Sequence, residues 1–137
     1  MLDKTNLKVY NINIKIKQLN KEKHKMNKQE EKSYLIGKLH KSVVDMLTRY
    51  NQDKHTSSNY HYSIRDWYNT PKTAIDNVYN RMFQVLNYCR IKDYKNIKVF
   101  DSTLAEIANK FDTLENAQVK LMPFLKGENA CMKEIIG

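Results

Sequence analysis

One part of this chain is rich in lysine. Its composition suggests a chemical role, because ammonium groups bind phosphate. Residues 15–41 contain nine lysines and three glutamates. Residues 20–32 are mostly polar and include no Phe, Tyr or Trp. The ammonium groups of the lysines in this segment could therefore reach a phosphate backbone without desolvating other groups. We therefore expect phosphate contacts from six residues, namely Lys15, Lys17, Lys21, Lys23, Lys25 and Lys28. A solvated connection without a ligand is the alternative interpretation.

The net charge of +9 favours a DNA or RNA partner. Composition weakens this argument, because the chain has 20 lysines and only four arginines. An AT-rich genome raises lysine content without any selected partner, and arginine is the residue that binds phosphate through two parallel hydrogen bonds. The charge is therefore consistent with nucleic-acid binding without requiring it.

Four aromatic side chains lie close together in the sequence and could form a platform on which bases stack. They are Tyr60, Tyr62, Trp67 and Tyr68, with His61 and Arg65 among them. Aromatic clusters of this kind also close the core around a long helix. Both interpretations stay open at the level of sequence.

Residues 102–111 read STLAEIANKF, in which small residues and an Ile-Ala pair could pack against a following helix. This stretch resembles the first helix of bacterial helix-turn-helix modules. The resemblance implies a second helix over residues 115–122, although Asp112 stands where such turns often have glycine. The side chains that this helix would offer to base edges or phosphates are Asn116, Gln118 and Lys120. An ordinary helical hairpin that completes the core is the alternative, and Pro123 interrupts the second helix.

Arg49 and His55 are similar to the Arg/His motif of helical nucleases that cleave RNA at a dimer interface. The resemblance implies two catalytic side chains held rigidly on a helix. The sequence contains no phosphate-binding glycine loop, nucleophile elbow, HExxH or CxxC motif. We expect no cofactor and no metal site, and we expect Cys89 and Cys131 to be reduced and packed.

Apolar periodicity predicts a single α+β domain, mainly helical, with four to five helices and a small sheet of two or three short strands. The predicted order is a strand at about 9–17, a helix at 30–51, a strand at 60–64, a helix at 71–91, a strand at 97–100 and two or three C-terminal helices. The domain divides into a basic strand-loop arm (1–29), a helical body (30–126) and a short C-terminal tail or helix (127–137).

Residues 70–91 carry a wide apolar face, so we expect the rest of the chain to pack around this helix. Thr70 is its predicted N-cap, and Pro71 suits the first helical turn. Tyr79 and Phe83 belong to the predicted buried face.

The helical stripes together predict one core cluster. Its members are Leu35, Leu39, Val43, Leu47, Ile75, Val78, Met82, Leu86, Leu104, Ile107 and Phe111. Thr103 and Glu106 have capping-box spacing, which predicts a helix that begins near residue 101. Gly127 is expected to end the helical segment before it.

Two classes of function follow from these patterns. The first is a small, basic, non-enzymatic regulatory or accessory protein that binds nucleic acid, with a phage, plasmid or virus as its source. The second is a protein-binding inhibitor or adaptor of a mobile element that blocks or recruits a host macromolecular machine. An Arg/His ribonuclease is an alternative outside these two classes. A homodimer could form by pairing of the first strand. No membrane segment is visible, so we expect a cytoplasmic or host-cytoplasmic location, with the nucleus also compatible.

Overall fold

The computed structural model describes residues 26–57, 64–111, 113–114 and 118–137. The helices are α1 (Lys28–Lys54), α2 (Ile64–Asn69), α3 (Pro71–Arg81), α4 (Phe83–Ile91), α5 (Lys95–Lys110) and α6 (Leu121–Ile136). These described ranges contain helices and no strand, so the predicted α+β class is wrong for them and the fold is all-helical. None of the described helices has the combination of length and apolarity that crossing a membrane requires.

Helix α1 is the element against which α4, α5 and α6 pack. Its 27 residues give it a length of about 40 Å. Asn27 caps its first turn, because the side-chain oxygen accepts the Glu30 N–H at 2.8 Å. The helix ends at His55, which has a left-handed conformation with φ 54°. The helix predicted at 30–51 is thus confirmed, and it is the centre of the fold in place of residues 70–91.

The strand predicted at 97–100 is instead the first part of α5. Four residues are too few to separate a strand period of two from a helical period of 3.6. The longer stripe of Ile97, Phe100, Thr103 and Ile107 is buried and helical. The Thr103 cap is also wrong, because α5 begins eight residues earlier, at Lys95. The strand at 9–17 and residues 60–63 of the other strand lie outside the described residues, while Ile64 begins α2.

The helix predicted at 71–91 is divided at Met82, whose dihedral angles of φ −108° and ψ 19° lie outside the helical range. The division leaves Met82 buried but turns Tyr79 and Phe83 outward, with 45% and 57% of their surfaces exposed. Pro71 does occupy the first turn. Thr70 is the N-cap residue, as predicted, but its side chain does not accept a helical N–H, because its hydroxyl donates backwards to the Asp66 carbonyl oxygen at 3.2 Å.

The crossing of α1 and α6 depends on two glycines. A Cβ atom added to Gly37 would lie 2.0 Å from the Phe124 carbonyl oxygen, and one added to Gly127 would lie 1.9 Å from the Tyr34 carbonyl oxygen. Gly127 therefore lies at a backbone contact inside α6 and does not end a helix. Pro123 lies in the first turn of α6, where proline is tolerated, so it does not interrupt the helix.

The predicted core is confirmed. The members that are buried together are Leu35, Leu39, Val43, Leu47, Ile75, Val78, Met82, Leu86 and Ile107. Leu104 and Phe111 are partly buried and pack against this cluster. Cys89 and Cys131 are free and buried. Burial raises the pKa of the Cys89 thiol to about 11 and that of the Cys131 thiol to about 12, so both stay protonated at neutral pH.

Candidate nucleic-acid interface

A groove with a volume of about 590 Å³ lies between the first half of α1, the end of α5 and the middle of α6. We call it the lysine groove. Its lining residues are Met26, Glu31, Tyr34, Glu106, Lys110, Lys126, Asn129, Ala130 and Lys133. Three lysines and two glutamates thus face one concave surface that also carries apolar and aromatic groups.

Lys110 is the lysine of this groove that is paired with carboxylates of the same chain. Its ammonium group donates to Glu31 and, at 3.0 Å, to Glu106. The pKa of Lys110 is raised, first by the hydrogen bond to Glu31 and then by the one to Glu106. One ammonium group opposes two carboxylates, so these three side chains keep a net negative charge, and the attraction of the groove for phosphate comes from its other lysines.

Lys126 and Lys133 are exposed, as Lys110 is, but they differ from it because neither has a hydrogen bond or ion pair within the part of the chain that the structure describes. They lie two turns apart on α6, which separates their Cα atoms by about 10.5 Å along the helix. Asn129 and Ala130 lie between them on the same face. This face is the cationic wall of the lysine groove.

The predicted lysine arm joins the helical body beside this groove. Met26 lines the groove, and Lys28 is the exposed first residue of α1. The other predicted phosphate contacts, Lys15, Lys17, Lys21, Lys23 and Lys25, lie outside the described residues. The arm therefore meets the helical body at the lysine groove.

The residues that the helix-turn-helix resemblance offers to bases are arranged differently from the expectation. Residues 118–120 are an extended connection to α6 and not part of a helix, and Asn116 lies outside the described residues. The Gln118 carbonyl accepts a hydrogen bond from the Gln29 amide at 3.2 Å, and the Lys120 N–H donates to the Ser33 hydroxyl at 2.8 Å. Both hydrogen bonds tie this connection to α1. The predicted second helix is therefore wrong for residues 118–120.

Of the candidate stacking residues, the structure describes Trp67 and Tyr68. Trp67 is 0% exposed and packs its edge against His40, with the ring centroids 5.4 Å apart, so it offers no ring face to a base. Tyr68 is half-buried against Phe124, and burial, followed by the charge of Glu128, raises its pKa. Tyr68 and Gln118 do line one groove, with a volume of about 340 Å³. Tyr60 and Tyr62 lie outside the described residues.

A second cationic region lies at the other end of α1, and we call it the tyrosine cluster. It comprises Arg49, Tyr50, Asp53, Lys54, Tyr88, Lys92 and Tyr94. The Tyr88 hydroxyl donates to Asp53 at 2.8 Å, and the Tyr94 hydroxyl donates to the same carboxylate oxygen. These hydrogen bonds, first from Tyr94 and then from Tyr88, lower the pKa of Asp53. The pKa values of both tyrosines are raised.

The cations of the tyrosine cluster lie over aromatic rings. The Arg49 guanidinium is 4.9 Å from the Tyr94 ring centroid. Lys54 and Lys92 are 5.0 Å and 5.8 Å from the Tyr88 ring centroid. Each of these cations thus has an aromatic partner inside the chain.

Arg49 and His55, the candidates for ribonuclease chemistry, lie at this same end of α1. Arg49 is on the last turns of the helix, whereas His55 lies just beyond it, in a left-handed conformation and exposed. The pair therefore lacks the common helical support that the resemblance requires.

No sequence pattern indicated a largely buried polar contact between His40 and Glu128. His40 Nδ1 and Glu128 Oε2 are 2.8 Å apart, with side-chain exposures of 9% and 17%, and they join α1 to α6. The 88 positions that separate the two residues left no local signal of this pairing. Within the described ranges, no group of three or more His, Cys, Asp or Glu side chains could hold a metal ion.

Comparison of this chain with protein-family models, with curated proteins and with solved structures found no match.

Proposed function

We propose that this chain is a small, non-enzymatic nucleic-acid-binding protein with a regulatory or accessory role. In this proposal the arm lysines and the lysine groove together contact phosphates. The observation that carries it is the placement of Lys126 and Lys133, which have no partner among the described residues, beside the point where the arm enters α1.

Phosphate binding depends on which cations of the chain are available to a ligand. A lysine that already donates to a carboxylate or covers an aromatic ring has part of its charge opposed inside the chain, so it attracts a phosphate less strongly. Lys126 and Lys133 have no such contact in the described structure. The net charge of +9 adds long-range attraction for a polyanion.

The experiment is a salt titration of affinity for a random-sequence duplex. Each lost phosphate contact lowers the slope of log affinity against log salt by about 0.9. We expect the variant with Lys126→Gln and Lys133→Gln to lower the slope by roughly 1.8. The matched control changes Lys54→Gln and Lys92→Gln in the tyrosine cluster, which removes the same charge from lysines that cover Tyr88.

Equal effects of the two double variants would show that net charge, and not the lysine groove, governs binding. The absence of measurable binding by the unchanged protein at low salt would overturn the proposal itself. A third variant, with four arm lysines changed to glutamine (Lys21, Lys23, Lys25 and Lys28), should lower the slope by roughly 3–4.

A protein-binding inhibitor or adaptor is the second candidate function, and an exposed apolar surface favours it. Leu121, Met122 and Leu125 expose 55%, 62% and 38% of their surfaces at the start of α6. Exposed apolar groups of this size are typical of protein contacts, and a second copy of the chain is one partner of that kind. Met122→Lys should abolish activity in the cell under this second function and leave nucleic-acid binding unchanged.

The source and location that we propose rest on composition. A lysine-, asparagine- and isoleucine-rich chain of 137 residues fits a phage, plasmid or virus with an AT-rich genome. We accordingly propose the cytoplasm, or that of a host, as its location. A nuclear location would suit the same function.

A further inference from the structure

The shape of the lysine groove bears on which form of nucleic acid it could hold. Its volume of about 590 Å³ lies within the range of pockets that enclose small ligands. A duplex presents its phosphates on a convex surface with the bases paired inside, so it could contact only the rim of such a groove. A single strand can turn individual bases outward and insert them.

The chemical groups in the groove match a nucleotide and not only a phosphate. Tyr34 offers an aromatic ring that is half-buried, and Met26 and Ala130 add apolar surface beside it. The Asn129 amide can both donate to and accept from the edge of a base. A groove that served phosphate alone would not need the ring or the amide.

The spacing of the cations fits the same ligand. Lys126 and Lys133 are separated by about 10.5 Å along α6, which corresponds to about three nucleotides of a stacked strand. The amide of Asn129 lies between them on that face. Lys110 remains bound to Glu31 and Glu106, which reduces the repulsion between the opposite wall and a phosphate.

Building on the proposed function, we infer that the lysine groove binds single-stranded nucleic acid, with one base stacked on Tyr34 and its edge contacted by Asn129. Lys126 and Lys133 contact phosphates about three nucleotides apart on the strand that carries this base. Single-stranded DNA and RNA share this chemistry.

The experiment measures fluorescence anisotropy of three labelled 16-nucleotide probes with the full chain. The probes are a single-stranded DNA, the RNA of the same sequence and the DNA duplex of that sequence. We expect both single strands to bind at least about fivefold more tightly than the duplex, because stacking on one tyrosine contributes roughly 5- to 150-fold in affinity. A difference between the DNA and the RNA would identify which of them makes the additional contacts.

Two variants test the ring directly. Tyr34→Leu keeps apolar volume but removes the ring, so we expect single-strand affinity to fall by roughly 5- to 150-fold while duplex affinity stays unchanged. Tyr34→Phe keeps the ring and should bind as the unchanged protein does. Tyr79→Leu, at an exposed tyrosine on α3 that does not line the groove, is the matched control.

The thermal midpoint of each variant shows whether it is folded. If Tyr34→Leu unfolds, Asn129→Ala tests the inference in its place. Because Asn129 is exposed, its removal should lower single-strand affinity several-fold without loss of stability. Equal binding of single strand and duplex, or single-strand affinity within twofold of the unchanged protein for folded Tyr34→Leu, overturns the inference. Duplex binding that depends on Lys126 and Lys133 would then leave the proposed function standing, whereas no binding of any probe would remove both.

Discussion

The two ends of α1 both concentrate cationic side chains, but they use the charges differently. In the tyrosine cluster, Arg49, Lys54 and Lys92 lie over tyrosine rings that are themselves tied to Asp53. In the lysine groove, Lys126 and Lys133 have no partner among the described residues. The difference shows that a count of positive charges says little about binding until the partners of each charge are known.

The tyrosine cluster has a structural task that explains its contacts. It joins the last turns of α1 to the turn between α4 and α5, which passes through Asp93 in a left-handed conformation with φ 57°. Cations over aromatic rings and hydroxyls on one carboxylate hold these segments together. The lysine groove lies instead beside the crossing of α6 and α1, where Lys126 and Lys133 are exposed.

The largest effect that we predict comes from a substitution at the crossing of α1 and α6. Gly127→Ala would place a methyl group against the Tyr34 backbone, so we expect it to destabilise the fold by about 1–3 kcal/mol or more. Denaturant unfolding measures the change. Helix propensity alone predicts the opposite sign, a gain of about 1 kcal/mol.

The control for this substitution is Asn129→Ala on the exposed face of α6. Its effect should be a small gain in stability, because alanine is the better helix former. If Gly127→Ala also stabilised the protein, the close crossing of α1 and α6 would be refuted.

An intermediate effect is expected when the charge of Lys110 is released. Changing Glu31→Gln and Glu106→Gln frees its ammonium group for a third phosphate contact, which should raise the salt slope on single strands by about 0.7. Because these ion pairs are largely exposed, stability should change by less than about 1 kcal/mol.

The matched variant for that experiment changes Asp93→Asn and Asp101→Asn, which removes two negative charges from the partners of Lys98 and Arg90. This pair lies away from the lysine groove, so its effect on the salt slope should be smaller. If both double variants raised the salt slope by the same amount, the cations at the two ends of α1 would be equally accessible to a ligand.

The smallest effect concerns pH and the tyrosine cluster. The pKa of Asp53 is lowered in the folded state, so its ionised form stabilises the fold above the unfolded pKa of about 3.9, and this contribution is lost as pH falls through the folded pKa. We therefore expect Asp53→Asn to lower the thermal midpoint at pH 7. The difference from the unchanged protein should be smaller at a pH below the unfolded pKa of about 3.9 than at pH 7, because the stabilising ionised form is lost as pH falls. A difference that is the same at both pH values would contradict this account of the cluster.

Local sequence patterns predicted the helices well where the apolar stripe was long. The stripe of Leu35, Leu39 and Val43 correctly placed α1, and its members are buried. The apolar pattern gave a wrong prediction at Ile97–Phe100, where four residues fit both the strand period and the helix period. It also missed the break at Met82, because the apolar pattern continues through that residue. Such breaks are decided by packing against other elements, which a local pattern does not contain.

The sequence by itself determined the amphipathic helices, the core residues and the excess of lysine, because each depends on residue type and short spacing. Only the tertiary structure decided that Gly37 and Gly127 form a helix crossing, since their close contacts are with backbone about 90 positions away. It also decided which lysines are engaged, as when Lys110 meets Glu31 across 79 positions. Periodicity is a local property, whereas the pairing of charges depends on which distant segments the hydrophobic core brings together.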